Sequence, residues 1–535
     1  MATSCKDLPD ECWELIFKRL HHSHLESPSL SCKRFLSITN TLRTHLKILY
    51  PTLIIPLSKR FPRLDSIDLS SLRNGQLHHV IIDIATSGLN LKTLDLSESD
   101  RLPLESLKVL GSRMKNLRVL VCSCLLTLRD MDLVVIADSM PCLEDLDISE
   151  PINRFDAAVT DSGIKVLSSK LKGLRKIDVS GNHYITDKSL LALSTNCVYL
   201  AEIFVLNCWS VTSYGIAFVM RNSSNLSSLL VSQLSRIEFG LFDNLVCCAR
   251  NLSALGIFDS SVPDEFLHFI VKAVPGAVCL AGTDFLTDEN ISDLSQCLPA
   301  LVLIDLDLCN NLTESTLFTL AKNCTFLEDI SMDGADVGGG GGDRASDNVK
   351  NPRIKSLNLV KNRNLTDECL EKLASVCPSL EVLDVSSCKG ITDNGIANFL
   401  KRGSKIRKLW INKCRAIKNI GKGFELSELV VLGAASSGIN DHRLVVVGNT
   451  CRGLLNLNLD GCLGVTTEGL KEILTNCERL REINLTGCLN VSTETADWLV
   501  SLRPSLRKII LPHSSFPSGS QRELLLRHGC LVLSE

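Results

Sequence analysis

Hydrophobic residues recur along most of this chain in one frame, with aliphatic residues at the first, fourth and sixth positions and Cys at the ninth. The frame is clearest in residues 380–388, 454–462 and 480–488, and its first leucines are commonly 26 residues apart. Apolar and polar residues alternate within it, which predicts a short β-strand with one buried side. We count about 18 such units in residues 61–512. A period of this length predicts a repeat array rather than a single globular core.

A helical pattern follows each predicted strand. Residues 391–396 read Ile-Thr-Asp-Asn-Gly-Ile, which places Thr or Asp where a side chain can cap the first turn of a helix. Each unit is therefore expected to be a strand, a turn and a helix, and stacked units bury one another's apolar sides. The pattern resembles the cysteine-containing class of leucine-rich repeats. This resemblance implies an α/β solenoid, a horseshoe with parallel strands on the concave face and helices on the convex face.

The 23 cysteines follow the same period. Cys377 and Cys388, like Cys451 and Cys462, bracket a predicted strand with a gap of 11 residues. We interpret them as small buried side chains at the entry and exit of each strand. No pair has the Cys-x-x-Cys spacing, so neither a metal site nor a cofactor is expected.

One unit departs from the pattern after its strand. Five consecutive glycines lie at positions 338–342, where a helix should begin, and glycine weakens helices. We predict that residues 333–352 form a loop in place of that helix. The loop is either a plain linker or a segment that gates access to a partner.

The first 50 residues do not fit the repeat. Proline at position 9, followed by acidic residues, predicts the start of a helix. Trp13, Ile16, Phe17 and Leu20 then recur at helical spacing and predict one apolar stripe. A second helix is expected to hold Leu30, Phe35 and Ile38. So short a segment cannot build an adequate core alone, so a partner surface is expected to complete it.

This N-terminal segment resembles the F-box. The motif Leu-Pro-x-Glu matches Leu8, Pro9 and Glu11, the motif Ile-Phe-x-x-Leu begins at Ile16, and Cys-Lys-Arg-aromatic begins at Cys32. The resemblance implies docking on a Skp1-like protein and, through it, on the cullin and RING subunits of a ubiquitin ligase. The residues expected to bind Skp1 are Leu8, Pro9, Glu11, Trp13, Ile16, Phe17, Leu20, Leu30 and Phe35. The alternative is a helical cap that shields the first repeat.

The predicted organisation is an F-box at 1–50, a linker at 51–60, repeats at 61–512 and a C-terminal cap at 513–535. The net charge is −3, which indicates no bulk attraction to nucleic acid or to a membrane. No signal-like segment or long apolar run is found, so we expect a protein of the cytoplasm, the nucleus or both. No catalytic motif is found either. The resemblance to F-box proteins with leucine-rich repeats implies a non-catalytic substrate receptor that binds an unknown protein for ubiquitination and proteasomal degradation.

The residues between the buried leucines should face the concave side and bind the captured protein. Early repeats place aspartates there, middle repeats place aromatic and aliphatic residues there, and acids return later. The candidate substrate-binding residues are Phe204, Leu206, Leu230, Phe258, Asp305, Asp307, Lys408 and Trp410. We expect the apolar members to anchor a partner with a basic rim. The alternative is that several of them pack against neighbouring loops.

Overall fold

The structure is a computed structural model of the 535-residue chain. It describes all residues except 1–7, 21–24, 73, 153–157, 235–250, 261–275, 284–285, 340–348, 403–404, 419, 422, 493–494, 516 and 535. The chain forms two compact units, Met1–Ser253 and Ala254–Glu535, and we describe each by itself.

The first unit begins with three helices and continues as a ribbon of parallel strands. Each strand from β1 to β8 pairs in parallel with the next. The strands are β1 His45–Lys47, β2 Ser66–Asp68, β3 Thr93–Asp95, β4 Val119–Val121, β5 Asp145–Asp147, β6 Lys176–Asp178, β7 Glu202–Val205 and β8 Ser228–Ser232. The helices are Asp10–Lys18, Glu26–Ser31, Lys33–Leu42, Ile54–Arg60, Asn74–Thr86, Leu104–Arg113, Asp130–Ser139, Asp161–Lys170, Asp187–Asn196 and Ser213–Asn222, with a 3-10 turn at Pro51–Leu53.

The second unit is a parallel ribbon from β9 to β20. The strands are β9 Ala254–Phe258, β10 Ala277–Cys279, β11 Leu303–Asp305, β12 Asp329–Ser331, β13 Ser356–Asn358, β14 Val382–Asp384, β15 Lys408–Trp410, β16 Val431–Gly433, β17 Asn456–Asn458, β18 Glu482–Asn484, β19 Lys508–Leu511 and β20 Leu531–Ser534. The described helices are Asp288–Cys297, Glu314–Asn323, Asp367–Val376, Asp393–Arg402, Asp441–Thr450, Thr467–Asn476, Thr495–Leu502 and Gly519–Arg527, with a 3-10 turn at His513–Ser515.

The predicted repeat frame is confirmed in both units. Leu454, Leu457 and Leu459 are buried, whereas Asn456 and Asn458 between them are partly open. The 18 predicted units correspond to strands β2 to β19. Two frames were placed about three residues off. The unit predicted to begin near Leu426 has Leu429 as its buried first leucine, and Val278, near which another unit was predicted to begin, lies in register with Ile304, at the fourth position of its frame.

Threonine and aspartate link successive repeats on the helical side. Thr212 caps its own helix, and both its backbone N–H and its hydroxyl donate to the Asp187 carboxylate of the preceding repeat, at 2.8 and 2.7 Å. The same pair of bonds joins Thr392 to Asp367 and recurs in several other repeats. The Thr-Asp phrase is therefore both a helix cap and a bond between neighbours.

Most cysteines at the two predicted positions are buried, as predicted. The Cys388 thiol donates to the Leu359 carbonyl of the preceding repeat at 3.0 Å, and burial raises the pKa of this thiol to about 12. Asn362, three residues after that leucine, fills the equivalent position one repeat earlier and donates to Met332 O at 2.7 Å. This position therefore requires a small buried donor, which explains why it holds Cys in many repeats.

Three segments that the sequence set apart from the regular coils have the following structure. The predicted linker at 51–60 is largely helical, with Ile54 buried, because it completes an extra coil begun by β1. Residues 513–535 contain a helix and then β20, which pairs with β19, so the cap continues the ribbon. In the predicted loop, residues 333–339 and 349–352 contain no helix, and residues 340–348 lie outside the described part.

Candidate interaction surfaces

The N-terminal helices form a small head with an aromatic core. The Trp13 and Phe35 rings lie 4.6 Å apart, and the Phe17 and Phe35 rings meet edge to face at 5.2 Å. Ile38 and Leu42 complete the cluster from the third helix. So few buried side chains supply little hydrophobic stabilisation, which is typical of a module that needs a partner.

Arg34 joins the third helix to the start of the first. Its Nε donates to the Asp10 carboxylate at 2.6 Å, and its Nη2 donates to the Leu8 carbonyl at 2.5 Å. The Cys32 sulfur accepts a hydrogen bond from the Phe35 N–H at 3.4 Å and caps the third helix. Cys32 and Arg34, which the sequence analysis used only as part of a motif, therefore stabilise the packing of the head.

The predicted apolar stripe is divided between two surfaces. Trp13 and Phe17 face the core, whereas Leu8, Ile16 and Leu20 are 42%, 43% and 36% exposed. Leu15, which sequence reasoning missed, is 62% exposed. The other described helices of the head therefore cover only the part of the predicted stripe that faces Phe35, and they leave Ile16 and Leu20 open.

The other predicted head residues lie at the start of the first helix or in the second. Pro9 is the N-cap residue, and Glu11 lies in the first turn and is exposed. Leu30 lies in the helix Glu26–Ser31, but its side chain is outside the described part.

The open strand face, the side that carries the residues between the buried leucines, is acidic through much of the first unit. Asp145 and Asp147 lie on β5, and Asp178 lies in register with Asp147 on β6. Burial and the neighbouring carboxylates raise the pKa of Asp178, although hydrogen bonds from Ser180 act in the opposite direction. Negative charge is therefore concentrated here, and a cationic group would relieve the repulsion.

This acidic stretch ends at an apolar patch. Phe204 on β7 lies in register with Asp178 on β6 and with Leu230 on β8. Leu206 comes directly after the last residue of β7. All three side chains are partly exposed. The Lys176 ammonium lies 5.3 Å from the centre of the Phe204 ring. The structure thus brings three predicted residues together, beside carboxylates and one cation.

The predicted residues of the second unit lie at three separate places, on or beside β9, β11 and β15. Asp305 accepts from the Cys279 thiol at 3.0 Å, and Asp307 accepts from the Ser331 hydroxyl at 2.6 Å. Lys408 and Trp410 lie on β15, four strands from β11, or about 19 Å at the usual strand spacing. Phe258 is partly exposed at the end of β9. The two aspartates therefore do not share a site with Trp410.

Trp410 borders a recess that sequence reasoning missed. The recess has a volume of about 190 Å³, and its lining includes Trp410, Gly433, Asn458, Asn484 and Lys508. A Cβ atom on Gly433 would lie 2.3 Å from Trp410 Cδ1, so only glycine allows the indole to lie this close. The signal in the sequence was a glycine at a position that usually bears a side chain.

In the part of the chain that the structure describes, no group of three or more His, Cys, Asp and Glu side chains is arranged to hold a metal ion. None of the helices described has the length and apolar content needed to cross a membrane.

Parts of this chain match known protein families, and the chain is similar to several solved structures. The F-box domain family matches residues 5–47, and the leucine-rich repeat family matches residues 173–194 and 376–400. Among solved structures, the Rad7 and Elc1 complex of yeast is similar at 16% identity, covering 100% of this chain and 99% of that chain with a TM-score of 0.37. An internalin from Listeria monocytogenes has 16% identity, covers 65% of this chain and 88% of its own, and has a TM-score of 0.38.

A structure of a TLR13–ssRNA13 complex has 14% identity and a TM-score of 0.37, covering 84% of this chain and 62% of that one. The F-box match coincides with the helical head, and both repeat matches coincide with strand-and-helix coils. The chain therefore carries an F-box segment at residues 5–47, followed by leucine-rich repeats.

Proposed function

We propose that this protein is the non-catalytic substrate-recognition subunit of a Skp1–cullin–F-box ubiquitin ligase, working in the cytoplasm or nucleus. The head would dock on a Skp1-like protein, and the repeats would hold a target protein for ubiquitination and proteasomal degradation. The observation that carries this proposal is an F-box head with a small aromatic core and exposed aliphatic side chains at Leu8, Leu15, Ile16 and Leu20. Docking would remove that apolar surface from water.

Binding of the full-length chain to a purified Skp1-type protein tests the docking step. Replacing Ile16 and Leu20 with alanine should weaken binding by about 2 kcal/mol or more, or at least about thirtyfold in Kd. The matched control replaces two exposed leucines of the C-terminal helix, Leu524→Ala and Leu526→Ala, which are 53% and 55% exposed. The control should bind like the unaltered chain.

Two outcomes would contradict the docking step. One is that the unaltered, folded chain does not bind the Skp1-type protein, which would favour the other reading, a repeat scaffold whose N-terminal helices only cap the first coil. The other is that the head variant and the C-terminal control bind equally well, which would place the contact elsewhere.

We further propose that the open strand face binds the target protein. In the first unit, Phe204, Leu206 and Leu230 would act as apolar anchors beside Asp147 and Asp178, which suits a target segment that combines apolar and basic residues. In the second unit, the proposed contacts are Phe258, Asp305, Asp307, Lys408 and Trp410.

Proximity labelling tests target capture. A chain carrying Ile16→Ala and Leu20→Ala should still bind its targets but not deliver them to the ligase, so undegraded targets should be labelled. Adding Phe204→Ala and Leu230→Ala should remove from the labelled proteins those targets that bind the first unit. An unchanged set of labelled proteins after the Phe204 and Leu230 changes would refute the proposed patch.

A further inference from the structure

Positive charge is concentrated in one stretch of the second unit. Residues 350–418 contain fifteen Lys and Arg against six Asp and Glu, in a chain with a net charge of −3. This excess cannot reflect the overall composition, so its location within the repeats matters.

Six of these cations lie on the rim, which we define as the loops that directly follow the strands. The basic rim consists of Lys361, Arg363, Lys389, Lys413, Arg415 and Lys418, in the loops after β13, β14 and β15. All six are exposed. The three loops therefore present one charged surface along consecutive repeats.

The equivalent loop positions differ elsewhere in the second unit. The first is the residue with positive φ, which is Lys361 after β13 and Lys413 after β15, and the second lies two residues later. After β11 these positions hold Leu308 and Asn310, and after β17 they hold Gly461 and Leu463. The backbone thus tolerates uncharged residues here, and folding does not require the cations.

Carboxylates neutralise little of this charge. Lys361 lies 3.1 Å from Asp333. Among the residues that the structure describes, no carboxylate lies within 4.0 Å of the charged groups of Arg363, Lys389, Lys413, Arg415 or Lys418. An incoming anionic partner would therefore gain attraction without first breaking existing ion pairs.

We propose that the basic rim docks a segment of a partner protein that is rich in Asp and Glu. The loops after β13 and β15 are about 10 Å apart at the usual strand spacing, a span that about three to four extended residues cover. The cations are distributed over three loops rather than converging on one point, which suits several spaced carboxylates. No aromatic residue occupies these loop positions, whereas single-stranded nucleic acid is usually held by cations together with stacking aromatics. This inference does not depend on the proposed ligase function.

Fluorescence anisotropy with the full-length chain tests the proposal. The probe is a labelled eight-residue peptide of Asp and Glu, and the matched probe has Asn and Gln at the same positions. The acidic peptide should bind, its affinity should fall as salt is raised from 50 to 200 mM because exposed charges are screened over roughly 10 Å, and the amide peptide should not bind.

Charge reversal localises the contact. Lys389→Glu with Arg415→Glu should weaken binding about tenfold, since two attractions become repulsions. The matched control, Arg452→Glu with Arg479→Glu, makes the same change in net charge at exposed arginines in the turns before β17 and β18, and should change Kd less than about twofold. Neither pair includes a residue with positive φ.

Three outcomes would overturn the proposal: no binding of the acidic peptide, equal losses in the two double variants, or tighter binding of an eight-nucleotide oligothymidine or of phosphatidylserine vesicles than of the peptide. Far-UV circular dichroism and urea unfolding of the same samples check that each variant is folded, whether or not the chain binds a Skp1-type protein, so the result stays separate from the ligase proposal.

Discussion

The contact between Asp187 and Thr212 gives a sharp test of how neighbouring repeats are joined. The Asp187 carboxylate accepts two hydrogen bonds from Thr212 of the next repeat, at 2.8 and 2.7 Å. Hydrogen bonds to a charged group contribute about 1.5–3 kcal/mol each, but Thr212 is exposed and water can replace part of the loss. We therefore expect Asp187→Ala to lower the free energy of unfolding by about 2 kcal/mol.

A substitution at Gly215 tests whether the position of the Asp187 carboxylate accounts for this stabilisation. A Cβ atom at position 215 would lie 2.3 Å from Asp187 Oδ1, so Gly215→Ala should displace the carboxylate and break the same two bonds. Alanine is otherwise the better helix former by about 1 kcal/mol. Gly215→Ala should therefore destabilise the unaltered protein by about 1 kcal/mol and stabilise the Asp187→Ala variant.

Urea unfolding of the four proteins in this cycle, followed by circular dichroism, measures the coupling between the two sites. Hydrogen exchange at the Thr212 amide shows whether the loss is local, which matters because long repeat arrays do not always unfold in one step. If Gly215→Ala costs the same free energy in both backgrounds, the carboxylate does not carry the contact and the reasoning is refuted.

Three further results are expected. Because the folded-state pKa of Asp178 is raised, chiefly by burial, its ionised form destabilises the fold at neutral pH, and that penalty vanishes below the ordinary value of 3.8. Asp178→Asn, which keeps an acceptor for Ser180 N, should therefore raise the Tm at pH 7 and leave it unchanged near pH 3; an equal shift at both pH values would argue against this cause. Cys388→Ala removes the thiol donor to the Leu359 carbonyl, which still accepts from Asn362 Nδ2 at 3.0 Å, so it should lower the free energy of unfolding by only about 1 kcal/mol. Cys388→Asn restores a donor and should be tolerated better; chemical denaturation that ranks the two variants the other way would show that the thiol's bond is unimportant. Iodoacetamide at pH 8 should label exposed Cys32 in the native chain and spare Cys388, as peptide mass spectrometry can check; comparable labelling of both would contradict the burial.

The linear order of residues predicted most of the secondary structure. Leu454, Leu457 and Leu459 predict a strand with one buried side because alternation along a strand is a local property. The F-box motif was likewise readable because Leu8, Pro9 and Ile16 lie within one helix and its entry. The paired function of Asp187, as helix start and as acceptor for the next repeat, was not readable, because its partner is 25 residues away.

The sequence by itself determined the repeat length, most of the strand positions and the burial of cysteines such as Cys388. These features follow from a backbone period that each repeat imposes on its neighbours. The tertiary structure alone decided that Ile16 lies on the exposed side of the first helix and that the indole of Trp410 packs closely against Gly433. It also decided which cations lie together in the loops of the basic rim. Those properties depend on neighbours brought together by stacking, and a pattern along one strand or helix does not contain that information.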